Sequence, residues 1–421
     1  VGYGFSTADI AYLASPPGAA ALAEVAEREL TAASQLHDVA AVRRVHGDRA
    51  PALIETVRLR RRAAAKLSGA QDWLFTDDAL QQATPTLVAR HRAARLAGRD
   101  VHDVTCSIGA ELVELARVCP HVVGSDLDPV RLAMARHNLS RAVSARTPVD
   151  TRCAPNPEVR ARSGTTSRTA AEAPSPSPLL VRADALVPCT AGTVIIADPA
   201  RRAGGKRTFD PAALQPPLPD LLAAYPGRDM AVKCAPGLDF DRLGWMGEIE
   251  VVSLDGAVRE ACLWSAGLSE PGVTRRATVL TAPDTVTTLT DADPDEIPER
   301  APGEWIIDPD GAVVRAGLVR HYAARHGLWQ LDPRIAYLTG DRLPAGVRGF
   351  RILDRFEFRE KAVRTELRRR DCGALEILIR GVDTDPDALR RRLKPNGSEP
   401  YTLVITRIGR TATAFLCRAS R

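Results

Sequence analysis

Four aspartates stand where a carboxylate can hold one polar group of an adenosyl ligand. Asp103 lies in Val101-His102-Asp103-Val104-Thr105-Cys106, which reads as a short buried strand. Asp126 closes Val122-Val123-Gly124-Ser125-Asp126, Asp184 follows Leu179-Leu180-Val181, and Asp198 follows Thr193-Val194-Ile195-Ile196-Ala197. Ligands of open parallel sheets sit beyond the carboxyl ends of the strands. There Asp103 can hold a positively charged amino group, while backbone N–H groups of the turn Thr105-Cys106-Ser107-Ile108-Gly109 meet a carboxylate. Asp126 is placed to accept hydrogen bonds from ribose hydroxyls, and Asp184 from an exocyclic adenine amine. Asp198, in Asp198-Pro199-Ala200-Arg201, lies over the place of the reacting group. Capping or salt bridging accounts for any one aspartate, but poorly for the ordered set.

These positions require a parallel sheet, and the texture of the chain supplies one. Between the first two strands, Ala110 to Cys119 carries Leu112, Leu115 and Ala116 on one helical face. A second helix runs from Pro129 to Leu139, with proline in its first turn. This strand-helix-strand-helix rhythm predicts an α/β, doubly wound, Rossmann-like sheet. Later strands are expected at 230–234, then at 249–253 and 260–264 as a hairpin around Asp255-Gly256.

Three regions are expected. Residues 1–95 read as helices, with apolar positions at helical spacing in Leu22, Val25, Ala26 and Leu30 and again in Leu53, Ile54, Val57 and Leu59. The sheet domain takes 96–270 and carries an insertion at 140–178 that lacks apolar periodicity and is expected to be mobile. Residues 271–421 mix strands and helices as an α+β unit. Thr76 is expected to cap a helix beginning at Asp77.

Composition narrows the classes. The chain has 421 residues, 45% of them hydrophobic, enough for a sizeable core and for two or three domains. No run approaches the ~20 apolar residues that span a bilayer. Val1 to Leu13 lacks the basic start and apolar stretch of a signal peptide, so a soluble, cytoplasmic protein is expected. The eight cysteines form no CxxC pair, and His321 and His326 stand five apart, so no metal site is expected. With 57 Lys+Arg against 52 Asp+Glu, the net charge is +5. The surplus is uneven: residues 342–394 hold 15 Lys+Arg and 9 Asp+Glu, and Arg201-Arg202-Ala203-Gly204-Gly205-Lys206-Arg207 follows Asp198 closely. A cation-rich, glycine-rich loop fits an RNA backbone better than a small metabolite. The basic run Arg58 to Lys66 reads as a solvated helix face, with RNA contact as the other option.

The motifs Asp103-Val104-Thr105-Cys106-Ser107-Ile108-Gly109, Val123-Gly124-Ser125-Asp126-Leu127-Asp128-Pro129 and Ile196-Ala197-Asp198-Pro199-Ala200-Arg201-Arg202 resemble those of class I S-adenosylmethionine-dependent methyltransferases. The resemblance is to a bacterial group with a C-terminal THUMP-like RNA-binding domain, and it covers nearly the whole chain outside the insertion. It includes a lead-in, Phe75-Thr76 through Ala89-Arg90-His91-Arg92, similar to the segment that covers the cofactor in trimethylguanosine synthase-like enzymes. It extends to Phe356-Glu357-Phe358-Arg359-Glu360-Lys361. The resemblance implies that Asp103, Thr105, Ser107, Gly109, Asp126, Leu127, Asp184, Ala185, Phe75 and Thr76 bind S-adenosylmethionine. It implies that Asp198, Pro199, Ala200 and Arg201 form the reacting end, and that Arg202, Lys206, Arg207, Arg359 and Lys361 meet tRNA or rRNA. One departure stands out. The family's first turn usually carries three glycines, and here Thr105 and Ser107 occupy two of the places, which narrows backbone approach to the ligand.

Asp-Pro-Ala-Arg is similar to two motifs. In the amino-group type, Asp198 and the Pro199 carbonyl accept hydrogen bonds from the target amine and catalysis is mainly positioning. In the pyrimidine C5 type, a cysteine attacks the ring first, and Cys234 stands where that nucleophile is expected, beside Lys233. Nitrogen methylation is favoured, with C5 methylation the runner-up. An RNA-binding protein whose methyltransferase fold no longer acts is the alternative from another class.

Overall fold

A computed structural model describes residues 2–144, 177–200, 202–203, 206–207, 210–240 and 242–420. Most of the insertion expected to be mobile, and Arg201, lie outside the described residues. Contacts divide the chain into two compact units, Val1–Leu238 and Asp239–Arg421.

The first unit opens with helices, as the alanine-rich spacing predicts: α1 (Thr7–Leu13), α2 (Pro16–Ala26), α3 (Gln35–His46), α4 (Ala50–Ala63), α5 (Asp77–Gln82) and α6 (Thr86–Arg95). Local chemistry starts several of them. Ser6 and Asp9 form a reciprocal capping box, and Thr76 accepts the Ala79 N–H at 3.1 Å. Much of the basic run from α4 to Lys66 is engaged by other parts of the protein. Arg60 donates to the carbonyls of Trp73 and Asp72, Arg61 to those of Ala26 and Arg28, and Lys66 to those of Leu80 and Gln81. Arg62 pairs with Asp77. Arg61 and Lys66 thus meet carbonyls at or just past the ends of α2 and α5, and Arg60 those of a loop, so these cations are engaged by the protein's own carbonyls, with Arg61 and Arg62 still exposed.

The rest of this unit is a parallel sheet with helices: β1 (Val101–Asp103), α7 (Ala110–Leu115), β2 (Val122–Asp126), α8 (Pro129–Ser144), β3 (Leu179–Arg182), β4 (Val194–Ala197), the ribbon β5 (Arg202–Ala203) and β6 (Lys206–Arg207), α9 (Leu218–Ala224) and β7 (Met230–Cys234). Within the unit the order is β7-β4-β1-β2-β3, all parallel. The chain winds outward from β1 through β2 and β3, then returns to β4 on the other side. The reversal leaves a crevice beyond the carboxyl ends of β1 and β4, where doubly wound sheets take their ligands. Gly124 permits the close packing behind that crevice, since a Cβ there would lie 2.4 Å from Leu112 Cδ1.

The second unit begins with β8 (Gly247–Leu254) and β9 (Ala257–Ser265), an antiparallel hairpin turning at Asp255-Gly256, both at positive φ as the sequence signal requires. Then β10 (Arg275–Thr281) pairs parallel with β8, and β11 (Thr285–Thr290) antiparallel with β10. A seven-stranded sheet follows, from β12 (Trp305–Ile307), β13 (Trp329–Asp332), β14 (Ile335–Gly340), β15 (Gly349–Glu357), β16 (Cys372–Arg380), β17 (Glu399–Ile408) and β18 (Thr411–Ala419). The helices of this unit are α10 (Gly311–Arg315), which packs on β8–β11, α11 (Val319–His326), α12 (Glu360–Arg369) and α13 (Pro386–Leu393). Val363 and Leu367 of α12 and Leu389 and Leu393 of α13 pack on Leu403, Ile405 and Leu416, so each helix keeps one apolar stripe inward.

Candidate active site

The crevice opens into a cavity of about 540 Å³, within the roughly 300–1,000 Å³ usual for cofactor sites. Its walls include Asp103, Thr105, Ser107, Asp126, Leu127, Asp184, Ala185, Asp198 and Ala200. The structure thus brings together most of the residues the sequence nominated. Pro199 is buried beside them, outside the cavity lining. Gly109 lies behind the wall, at positive φ as the N-cap of α7, facing Ala135. Phe75 is a core residue and Thr76 a helix cap, and neither lines the cavity; instead Asp78, Ala79 and Gln82 of α5 do. The lead-in therefore borders the site through the helix that Thr76 starts. Arg131 holds that helix to α8 through Asp78 at 2.9 Å.

The turn after β1 is pinned from several sides. Val104 N donates to Ile196 O at 2.9 Å and Cys106 N to Ser125 O at 2.9 Å, tying the turn to both neighbouring strands. The Asp103 carboxylate accepts the Thr105 N–H at 3.0 Å, and Asp126 accepts those of Ser107 at 3.1 Å and Asp128 at 2.9 Å. Asn138, wholly buried on α8, donates to the Ile108 and Leu74 carbonyls and accepts from Leu74 N. The two side chains standing where glycines are usual behave differently. Ser107 sits at φ 49°, a left-handed conformation that costs about 1–2 kcal/mol for a residue bearing a Cβ. Thr105 contributes a bond no glycine can make: its hydroxyl accepts the Asp198 N–H at 2.7 Å.

Lys233 is the residue sequence reasoning missed in this role. The sequence shows it only as the neighbour of Cys234, yet its side chain enters the cavity, with 7% exposure. Its ammonium pairs with Asp198 Oδ2 and donates to Thr84 Oγ1 at 2.6 Å. The signal was available, because a lysine inside the apolar strand Met230-Ala231-Val232-Lys233-Cys234 must find an anion when buried. Consecutive strand residues face opposite ways. Cys234 is accordingly buried and absent from the cavity wall.

The inner end of the cavity is rich in carboxylates. Burial above all, with Glu111 and Asp198 adding to it and the Thr105 N–H and Lys233 opposing it, puts the Asp103 carboxyl at about 7 instead of 3.8. Glu111 is held by Arg92 at 2.6 Å, an ion pair almost out of solvent. Such a site favours a ligand carrying positive charge beside Asp103. Among the predicted RNA contacts, Arg202, Lys206 and Arg207 fall on the ribbon β5–β6, where side chains lie outside the described residues. Arg359 pairs with Glu357 at 2.8 Å, and Lys361 is exposed on α12. Among the described residues no group of three or more potential ligands could hold a metal, and no helix is long and apolar enough to cross a membrane.

Replacing Thr105 by valine removes the acceptor of the Asp198 N–H. We expect Thr105→Val to lose about 1 kcal/mol in urea unfolding and Thr105→Ser to stay near wild type. Equal stability of the valine variant and wild type would contradict the role given to the hydroxyl.

Comparison with known proteins agrees with this geometry. A THUMP domain-like family model matches residues 347–419, and a family model for a domain of unknown function matches residues 6–63. Uncharacterized S-adenosylmethionine-dependent methyltransferases from two strains of Mycobacterium tuberculosis, CDC 1551 and H37Rv, are each 54% identical over 388 residues. The match covers 89% of this chain and 99% of theirs. A crystal structure of a candidate methyltransferase from Porphyromonas gingivalis W83 shares the fold, at TM-score 0.66 and 19% identity, covering 88% of this chain and 91% of that one. With that likeness and that cavity, the chain belongs to the S-adenosylmethionine-dependent methyltransferases and carries a THUMP-like domain near its C-terminus.

Proposed function

We propose that the protein methylates RNA, transferring the methyl group to an exocyclic base nitrogen held at Asp198. The observation that carries this reading is the Asp198 carboxylate at the cavity wall, at a strand end, with Lys233 on the carboxylate and Thr105 holding the backbone N–H. S-adenosylmethionine supplies, when bound, an electrophilic methyl on a sulfonium. The residues present fit it: the acid-rich inner end suits its cationic groups, and the cavity volume suits its size. Asp103 would hold the amino group and Asp126 the ribose hydroxyls. Asp184 would accept from the adenine amine, and the exposed Leu127 with Ala185 would flank the ring.

At the reacting end, Asp198 and the Pro199 carbonyl accept N–H bonds from the target amine and aim its lone pair. The nitrogen forms the new N–C bond as the C–S bond breaks, and its proton leaves to solvent afterwards. Lys233 holds the carboxylate in one orientation through their ion pair, and no strong base is needed. To reach this site a base would be turned out of its stack. Support for RNA comes from the THUMP-like match and from the cation-rich sequence after Asp198. The C5 alternative finds no support in the position of Cys234, whose side chain does not line the cavity.

Labelled methyl transfer into RNA purified from cells lacking the protein tests this assignment. Asp198→Ala should abolish transfer yet bind S-adenosylhomocysteine within a few-fold of wild type. Lys233→Met should lose roughly 100-fold in rate, as misplacement of a positioning group does, while Cys234→Ser keeps full rate. Retained turnover in Asp198→Ala, or loss in Cys234→Ser, would overturn the nitrogen mechanism.

A second expectation concerns pH. The Asp103 pKa is raised to about 7, so its carboxylate is present above that value and is lost as pH falls through it. Calorimetric affinity for S-adenosylhomocysteine should therefore be flat above about pH 8 and weaken by up to about tenfold per unit below pH 7. Asp103→Asn should bind weakly with no such dependence; a wild-type profile flat from pH 5 to 8 would remove Asp103 from the amino-group site.

A further inference from the structure

Most arginines of the basic C-terminal stretch are already engaged within the protein. Arg369 and Arg370 pair with Glu366, Arg390 with Asp387, Arg348 with Glu376, Arg380 with Asp308 and Arg392 with Glu360. Taking these away changes where the local cation surplus resides. On α12, Lys361, Arg364 and Arg368 make no ion pair among the described residues, and neither do Arg391 of α13 or Lys394 at its end. At 100° per residue, positions 361, 364 and 368 fall within about 60° of one another around the helix, away from the buried Val363 and Leu367.

Two contacts join α12 and α13 into one surface. Glu360 accepts from Arg392, and Arg364 donates to the Arg392 carbonyl at 3.1 Å. Arg364 thereby lies against the residue next to Arg391 and two before Lys394. Lys361, Arg368, Arg391 and Lys394 are exposed. Glu360 is the acid beside this row and is taken up by Arg392, so the remaining cations are in surplus and repel one another, and their solvation alone gives no reason to cluster. A polyanion with regularly spaced phosphates compensates such a row and releases counterions on binding.

We propose that the α12–α13 face, through Lys361, Arg364, Arg368, Arg391 and Lys394, is the surface on which the RNA phosphate backbone docks. The inference rests on the RNA reading above and locates the contact. It moves the footprint from Arg359, which is paired with Glu357, to the row beginning at Lys361. Contacts of this kind set register and affinity without reading sequence, leaving choice of the nucleotide to the cavity.

The test compares two variants with equal change of charge. Lys361→Glu/Arg368→Glu alters the proposed face and leaves Arg364 in its contact with α13. Arg43→Glu/Arg44→Glu alters two exposed arginines of α3. Binding of each full-length protein to bulk RNA from cells lacking the protein is followed against salt, with S-adenosylhomocysteine affinity as the check on folding. The α12 variant should bind RNA at least tenfold more weakly at 0.1 M salt, with a salt slope shallower by about two, while the α3 variant stays within a few-fold of wild type. If wild type binds RNA but the two variants weaken equally, or neither does, the surface assignment falls and the RNA reading stands. Wild type that binds anionic lipid vesicles and no RNA overturns both.

Discussion

Everything in the first unit is arranged around carboxylates brought together at the carboxyl ends of parallel strands. Removing a carboxylate from water is costly unless a cation or several donors replace the solvent. Here the replacements are specific. Lys233 meets Asp198, Arg92 meets Glu111, and backbone N–H groups of the first turn meet Asp103 and Asp126. Asp103 is the member left least compensated, and burial holds its pKa near 7. On the reading proposed above a cationic ligand completes the set, so cofactor binding and the electrostatics of the crevice are one problem.

This constraint explains how the glycine-poor turn works. Thr105 exchanges close backbone approach for a hydroxyl that ties the first strand end to Asp198. Ser107 keeps the left-handed backbone that a glycine would take at no cost, and Asp126 accepts its N–H. The two departures from the usual motif are therefore unequal: one adds a link between the ends of β1 and β4, and the other stores strain.

The strand ends were legible in the sequence because short apolar runs followed by aspartate are local signals. Asp103, Asp126, Asp184 and Asp198 accordingly border one cavity. Side-chain pairing was not legible, because it depends on contacts distant along the chain. Lys233 and Thr84 are 149 residues apart, and Asn138 reaches Leu74 across 64. The same limit applies to charge. Counting cations singles out both the run from α4 to Lys66 and the C-terminal stretch, yet Arg60, Arg61 and Lys66 bond backbone carbonyls of the protein itself, whereas on α12 Lys361 and Arg368 stay in solvent without an ion pair among the described residues. Sequence counts charge, while folding decides which charges are left for a partner.

The central claim is that Asp198 presents an RNA base nitrogen for methylation. The most direct measurement is mass spectrometry of nucleosides from RNA of cells that carry the protein, lack it, or carry only Asp198→Ala. The account predicts one nucleoside methylated on an exocyclic nitrogen, present in the first culture and absent from the other two. A C5-methylated pyrimidine in that place, or identical profiles in all three, would contradict it.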